Sequence, residues 1–337
     1  MRWSNKLNMH KLLISIFLIV FGIAGIYAAD NYFINYLSLQ SADPTVCIEN
    51  GVSGTAAITD PYLNKTTAID ISYYPLDAGS GFIVTNDGYI ITAFHVISDP
   101  QALKKDGTLK EMDSDDIQLY VEQATVKEYL SKYNSQLGNE LIDNGTTNHA
   151  NLSQNISFLT DLMVQKRLIS VKSGKQTIKV YIKTSSRVAS LNAALIDVGN
   201  STSDDDIALL KLNSASNLHF LNISSQKLSI GENITVYGYP DNKIQTQSVI
   251  PSTVTGNVTS TNSNLFGTAY YKTNAITAQG YSGGPVLNSK NQVVGMLVYG
   301  IENVESSKPQ VQSSLFLSSK YIIKICSKNN VSIAISN

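Results

Sequence analysis

From Ile178 onward, apolar residues recur in short runs that end at Gly, Asn or Pro: Ile178-Lys-Val-Tyr-Ile-Lys, Ile207-Ala-Leu-Leu-Lys-Leu, Ile234-Thr-Val-Tyr-Gly and Val293-Val-Gly-Met-Leu-Val. Such spacing predicts the strands of an all-β barrel. A further pair, Gly81-Phe-Ile-Val-Thr and Tyr89-Ile-Ile-Thr, flanks Asn86-Asp-Gly and predicts a hairpin, because Asp-Gly supplies the positive φ that a tight turn needs. Between these regions the period changes. Val126, Leu130, Tyr133, Leu137 and Leu141 recur at helical spacing, and so do Leu152, Ile156, Leu159 and Met163, which predicts two amphipathic helices separated by the polar Asn144–His149 loop. Residues 30–70 carry Ser, Thr, Asn and Gly with Pro44 and Pro61, and read as linker and N-terminal extension.

One segment stands apart. Leu12–Ala29 holds no charge over 18 positions, enough at 1.5 Å per residue to span about 27 Å of hydrocarbon. Arg2, Lys6 and Lys11 precede it and no Lys or Arg follows until Lys65, so the positive-inside rule puts the body of the chain outside the cytoplasm. An uncleaved signal-anchor is favoured over a cleaved signal peptide, because a cut after Ala28 would leave Ile26 where a small residue is preferred. The body is exported either way. Asn-x-Ser/Thr triplets at Asn64, Asn144, Asn151, Asn155, Asn200, Asn222, Asn233, Asn257 and Asn330 suit a glycosylated surface protein, although a chain rich in these residues also produces them by chance.

The 337 residues are 43% hydrophobic and 15% charged, with 25 Lys and Arg against 26 acidic residues. That composition excludes a disordered chain, and the absence of a basic run argues against a nucleic-acid partner. Cys47 and Cys326 are too far apart for a zinc knuckle. They lie just outside the two ends of the β-rich region, and in an exported domain whose ends approach each other they form a candidate disulfide.

The candidate chemistry lies at three positions. His95 ends an apolar strand in Thr92-Ala-Phe-His-Val. Asp206 opens Asp-Ile-Ala-Leu-Leu-Lys, where a buried carboxylate needs a partner. Ser282 stands in Gly280-Tyr-Ser-Gly-Gly-Pro, whose glycines allow a tight turn that aims backbone N–H groups into a concavity. A hydroxyl, an imidazole and a carboxylate are the parts of a nucleophilic acyl-transfer site. No HExxH or clustered metal-ligand set occurs, and the chemistry calls for no metal and no cofactor.

Through Gly79-Ser-Gly-Phe, Asn86-Asp-Gly-Tyr-Ile-Ile-Thr-Ala-Phe-His-Val, Asp206-Ile-Ala-Leu-Leu-Lys and Gly280-Tyr-Ser-Gly-Gly-Pro, the chain resembles the chymotrypsin-like (trypsin-fold) serine proteases, most closely the HtrA/DegP branch. The resemblance implies a mostly β fold of two six-stranded antiparallel barrels over residues 71–325. His95, Asp206 and Ser282 would be catalytic, with an oxyanion hole formed by the N–H groups of Gly280 and Ser282. It places Ile276 at the base of the pocket for the residue before the cleaved bond, and Met296–Tyr299, with Val298, along its wall. An aliphatic preference follows. Partners would be protein or peptide substrates, with the N-terminal helix in a membrane. His95 and Asp206 are 111 positions apart, far more than is usual in this family, and the surplus coincides with the two helices, which reads as an insertion over about 101–175. After Gly300 only 37 residues follow, too few for the PDZ domain that HtrA-type enzymes usually carry. Residues 326–337 read as a tail. An esterase using the same chemistry, and a catalytically silent or holdase-like binding protein on this fold, are the competing readings.

Overall fold

The computed structural model describes residues 43–60, 63–102, 109–133, 152–184, 188–199, 205–213, 215–240, 251–265, 268–302 and 311–337. In chain order the elements are β1 (Thr45–Asp60), β2 (Lys65–Ile83), β3 (Tyr89–Thr92), α1 (Ser114–Tyr133), α2 (Leu152–Gln165), β4 (Ile169–Lys183), β5 (Val188–Val198), β6 (Ala208–Leu212), β7 (Ile223–Ser224), β8 (Asn233–Gly238), β9 (Ser252–Leu265), β10 (Thr268–Thr273), β11 (Pro285–Leu287), β12 (Val293–Glu302), β13 (Val311–Ser318), α3 (Ser319–Lys328) and β14 (Ile335–Ser336). Strands β1-β2-β3-β6-β5-β4 close into a six-stranded barrel. The other sheet has eight strands in the order β11-β8-β9-β10-β13-β12-β7-β14, and β11 also pairs with β12, so six of the eight run round in a ring. One core, including Ile48, Phe82, Ile91, Leu209, Met296, Val298 and Leu317, draws on both sheets and fixes their separation.

The predicted hairpin is present. Gly81 pairs with Thr92 and Ile83 with Ile90, and Gly88 takes φ +94° in the turn. The region expected as linker differs: its described part includes β1, which pairs with β2 from Thr45↔Phe82 to Asp60↔Lys65 and with β4 from Cys47↔Tyr181 to Ile58↔Ile169. Register shifts fall between Asn50/Gly51 and Val52/Gly54, and the inward-facing positions carry polar and small residues. The buried positions Val46, Ile48, Val52 and Ile58 hold one two-residue phase, but Asn50, Gly54, Ala56 and Asp60 fall on that same phase and interrupt its apolar pattern.

β1, β2 and β4 extend past the barrel, and the two helices pack on that extension. Ile58, Ile69 and Ile71 meet Val126, Tyr129, Ile156, Leu159 and Met163, and the Tyr129 hydroxyl donates to Asp60 Oδ2 at 2.8 Å. α1 starts at Ser114, twelve residues before Val126. Before Val126 it buries Glu122 and Thr125 beside Tyr120 and Val121, which blurs the helical stripe. Leu137, Leu141 and the Asn144–His149 loop lie outside the described residues, as does the apolar Leu12–Ala29. No helix among the described residues is long and apolar enough to cross a membrane.

The C-terminal residues are docked, not a loose tail. α3 turns Ile322, Ile325 and Cys326 inward, and β14 runs parallel to β7 through Ile335↔Ile223. The same packing corrects the disulfide: Cys47 and Cys326 are free and buried. Cys47 points from β1 toward Tyr239, whereas Cys326 points from α3 into the main core, so closeness of the chain ends does not turn the two thiols toward one another. Burial pushes each thiol up to about 12, with the Glu49 charge adding to the rise at Cys47. Protein purified without reductant should therefore show two free thiols by mass spectrometry and an unchanged melting temperature on adding reductant. A mass two hydrogens lower, with melting lowered by reduction, would contradict this.

Candidate active site

His95 lies in a 3-10 turn, Phe94–Val96, that follows β3 directly. The turn buries Phe94 and Val96 and leaves the imidazole 14% exposed. Asp206 lies just before β6 and is 0% exposed. Its Oδ1 accepts the His95 backbone N–H at 2.9 Å and its Oδ2 meets His95 Nδ1 at 2.6 Å. A carboxylate so placed keeps the proton on Nδ1 and leaves the Nε2 lone pair as a base. Burial pulls the His95 pKa down, but the charge and hydrogen bond of Asp206, with Asp77 also nearby, outweigh it and raise the group above its ordinary value. For Asp206, burial pushes upward and is outweighed by His95 and by a hydrogen bond from the Tyr299 hydroxyl, so the carboxyl is held below the usual range.

Ser282 follows a turn in which Tyr281 N–H bonds the Ala278 carbonyl and Gly280 takes φ +97°. This is the conformation that a turn with positive φ at its third residue assigns to glycine. The N–H groups of Gly280 and Ser282 donate to no described residue, although Gly280 is buried. A buried N–H without a partner is rare in folded proteins, and with the N–H of the half-buried Ser282 beside it the turn is ready to receive an anion. The Ser282 hydroxyl donates to the Val298 carbonyl at 3.0 Å and not to the imidazole. That carbonyl is available because β12 bulges: Leu297 pairs with Phe316 and Tyr299 with Leu315, leaving Val298 outside the ladder.

The His95 and Ser282 turns meet at Gly79. A Cβ there would lie 2.6 Å from Val96 Cγ2 and 2.9 Å from the Ser282 carbonyl oxygen, so only glycine admits both. Of the expected pocket residues, Ile276 is 60% exposed, on a segment held to β13 by the Ser314 hydroxyl, which donates to the Ala275 carbonyl (2.7 Å) and accepts from the Thr277 hydroxyl (2.9 Å). The Val298 side chain is buried in the main core, and its carbonyl accepts the Ser282 hydroxyl. Tyr299, expected only as wall, stacks on His95 with ring centroids 5.6 Å apart. Ser80 was not singled out by its motif and also reaches the Ser282 turn. Among the described residues no group of three or more His, Cys, Asp or Glu is arranged to hold a metal ion.

A family model described as "Trypsin-like peptidase domain" matches residues 79–296, more than half of the chain and inclusive of His95, Asp206 and Ser282. A search of curated proteins finds no match.

Proposed function

We propose, for a chain that belongs to the trypsin-like peptidase domain family, a serine endopeptidase activity carried by Ser282, His95 and Asp206. The observation that carries the proposal is the Asp206-held imidazole beside a serine whose turn offers two unpartnered N–H groups. Ser282 Oγ rotates from the Val298 carbonyl toward His95 Nε2 and attacks the peptide carbonyl as Nε2 takes its proton. The oxyanion enters between the N–H groups of Gly280 and Ser282, each such donor contributing about 3 kcal/mol in the transition state. His95 returns the proton to the leaving amine, and water attacks the acyl-enzyme by the same steps in reverse. Asp206 stays ionised and stabilises the imidazolium.

Only neutral His95 serves as base. Because Asp206 raises its pKa, kcat/KM should climb with pH along a limb displaced above the ordinary histidine value. The signs for stability differ between the partners. His95, raised, contributes stability that is full in acid and lost as pH rises through its folded pKa. Asp206, lowered, contributes stability above the unfolded carboxyl pKa that is lost in acid. Tyr299→Phe keeps the ring over His95 but removes a donor from Asp206, leaving more negative charge facing the imidazole, so the acid limb should move to higher pH. A limb unmoved or moved to lower pH in the pH–rate profile would contradict that reading of Tyr299.

For specificity, the exposed Ile276 offers an apolar surface with no charge to receive Arg or Lys. A peptide library digested and read by mass spectrometry should be cut after Val, Leu or Ile, and Ile276→Asp should reduce those cuts about tenfold or more. Unchanged aliphatic cleavage would remove Ile276 from the pocket. The proposal further places the domain outside the cell, closest in kind to the HtrA/DegP branch, and anchored through Leu12–Ala29 or secreted if that segment is removed. Support comes from the charge asymmetry around the segment and from triplet asparagines Asn64, Asn222, Asn233 and Asn330 on the exposed surface.

The competing reading is a silent binding or holdase-like protein on this fold. The Ser282–Val298 bond favours it, since the hydroxyl rests away from its base.

A further inference from the structure

Ser80 is 0% exposed in β2, and each of its polar groups has a partner. Its N–H donates to the Ser282 carbonyl at 2.7 Å. Its hydroxyl donates to the Gly280 carbonyl at 2.7 Å and accepts the Tyr239 N–H at 2.9 Å. Its carbonyl accepts the Thr92 hydroxyl at 2.7 Å. A Cβ on Gly283 would overlap that same carbonyl oxygen, so the Ser80 peptide and the serine turn are in direct contact. We infer that Ser80 is a positioning residue for the oxyanion hole, its backbone N–H holding the Ser282 half and its hydroxyl holding the Gly280 half.

Glycine is the residue least able to hold its own peptide plane. Within the turn, Gly280 is held only by the 3.3 Å bond from Tyr281 N–H to the Ala278 carbonyl, a long one. The Ser80 hydroxyl adds a short, buried bond to the Gly280 carbonyl, from a strand 200 positions away. Removing it leaves two buried groups, the Gly280 carbonyl and the Tyr239 N–H, without partners. The simplest way to satisfy both is for the carbonyl to move onto the Tyr239 N–H. That carbonyl shares its peptide with the Tyr281 N–H, so the move pulls on the bond to Ala278 that closes the turn and, through the Gly280 Cα, shifts the Gly280 N–H from its convergence with Ser282. The Ser282 half, held by the Ser80 backbone, stays in place.

The inference rests on the endopeptidase reading, and its test is built to separate the two. Ser80→Ala should lower kcat by about 10- to 100-fold with little change in KM, because one oxyanion donor acts only in the transition state. A peptide boronate, whose tetrahedral adduct uses the same hole, should lose affinity by the same factor, and the acid limb set by His95 should stay where it is. Ser80→Thr, which keeps the hydroxyl, should recover both. Tyr129→Phe, which loses a buried hydrogen bond on the distant helical insertion, should lower melting without these kinetic losses. Kinetics and boronate affinity within twofold of wild type in Ser80→Ala, or equal losses in Tyr129→Phe, would overturn the inference. Crystal structures of wild type and Ser80→Ala read the carbonyl without any activity: it should move toward Tyr239 N, and a Gly280 carbonyl in the same place in both overturns the inference. A wild-type protein that cleaves no peptide and binds no boronate counts against the endopeptidase reading, and the two structures then decide the role of Ser80 alone.

Discussion

Ser282→Ala should lower peptide hydrolysis by about 10^4-fold or more while the protein stays folded. The loss is large because no other group in the cleft can form the acyl-enzyme, and what remains is binding and the oxyanion donors. The structural cost is small. The hydroxyl makes one hydrogen bond, to the Val298 carbonyl, worth about 1 kcal/mol net, and Ser282 borders solvent, so water can take up the freed carbonyl. Progress curves on a fluorogenic peptide, with circular dichroism and melting on the same samples, check both parts. Turnover close to wild type would remove Ser282 from the mechanism.

Asp206→Asn should cost about 10^4-fold in kcat, for a different reason. The carboxylate accepts from the His95 backbone N–H and from Nδ1, and an amide NH2 in place of one oxygen sets donor against donor. Relief comes by moving the imidazole proton to Nε2, which destroys the base. Because the group is 0% exposed, this variant should also melt lower than Ser282→Ala. Asp205→Asn separates the neighbours. Asp205 accepts from Thr268 Oγ1 at 3.0 Å and faces Lys324 at 3.5 Å, partners away from the imidazole, so its loss should cost about 1–3 kcal/mol of stability and spare kcat. Equal kinetic losses in Asp205→Asn and Asp206→Asn would sink the assignment. Asp204 lies outside the described residues.

Local pattern revealed the parts of the fold that local pattern builds. The Asp87-Gly88 turn and the runs around it predict the β2–β3 hairpin, which pairs over Gly81–Ile83 and Ile90–Thr92, and Asp206 before an apolar strand predicts a buried acid in need of a partner. β1 was hidden because its inward-facing positions include Asn50, Gly54, Ala56 and Asp60, which dilute the apolar alternation on which strand recognition depends. The contact of Ser282 with the Val298 carbonyl was not legible either: nothing in Met296-Leu-Val-Tyr shows that the strand bulges there and frees that carbonyl. The cysteine pairing failed because nearness of chain ends says nothing of the direction in which side chains on β1 and α3 point. Ser80 and Tyr299 act through partners 200 and 93 positions away, contacts that only the folded chain brings together, and neither residue type announces them.

The central claim is a serine made nucleophilic by an Asp206-held His95. It is tested most directly by treating the folded protein with an active-site fluorophosphonate at a pH above the His95 limb and mapping the adduct by tandem mass spectrometry. The account predicts one phosphonyl group on Ser282 in a protein that also cleaves peptides, and none on Ser282→Ala. Folded wild-type protein that carries no label at Ser282 would contradict it.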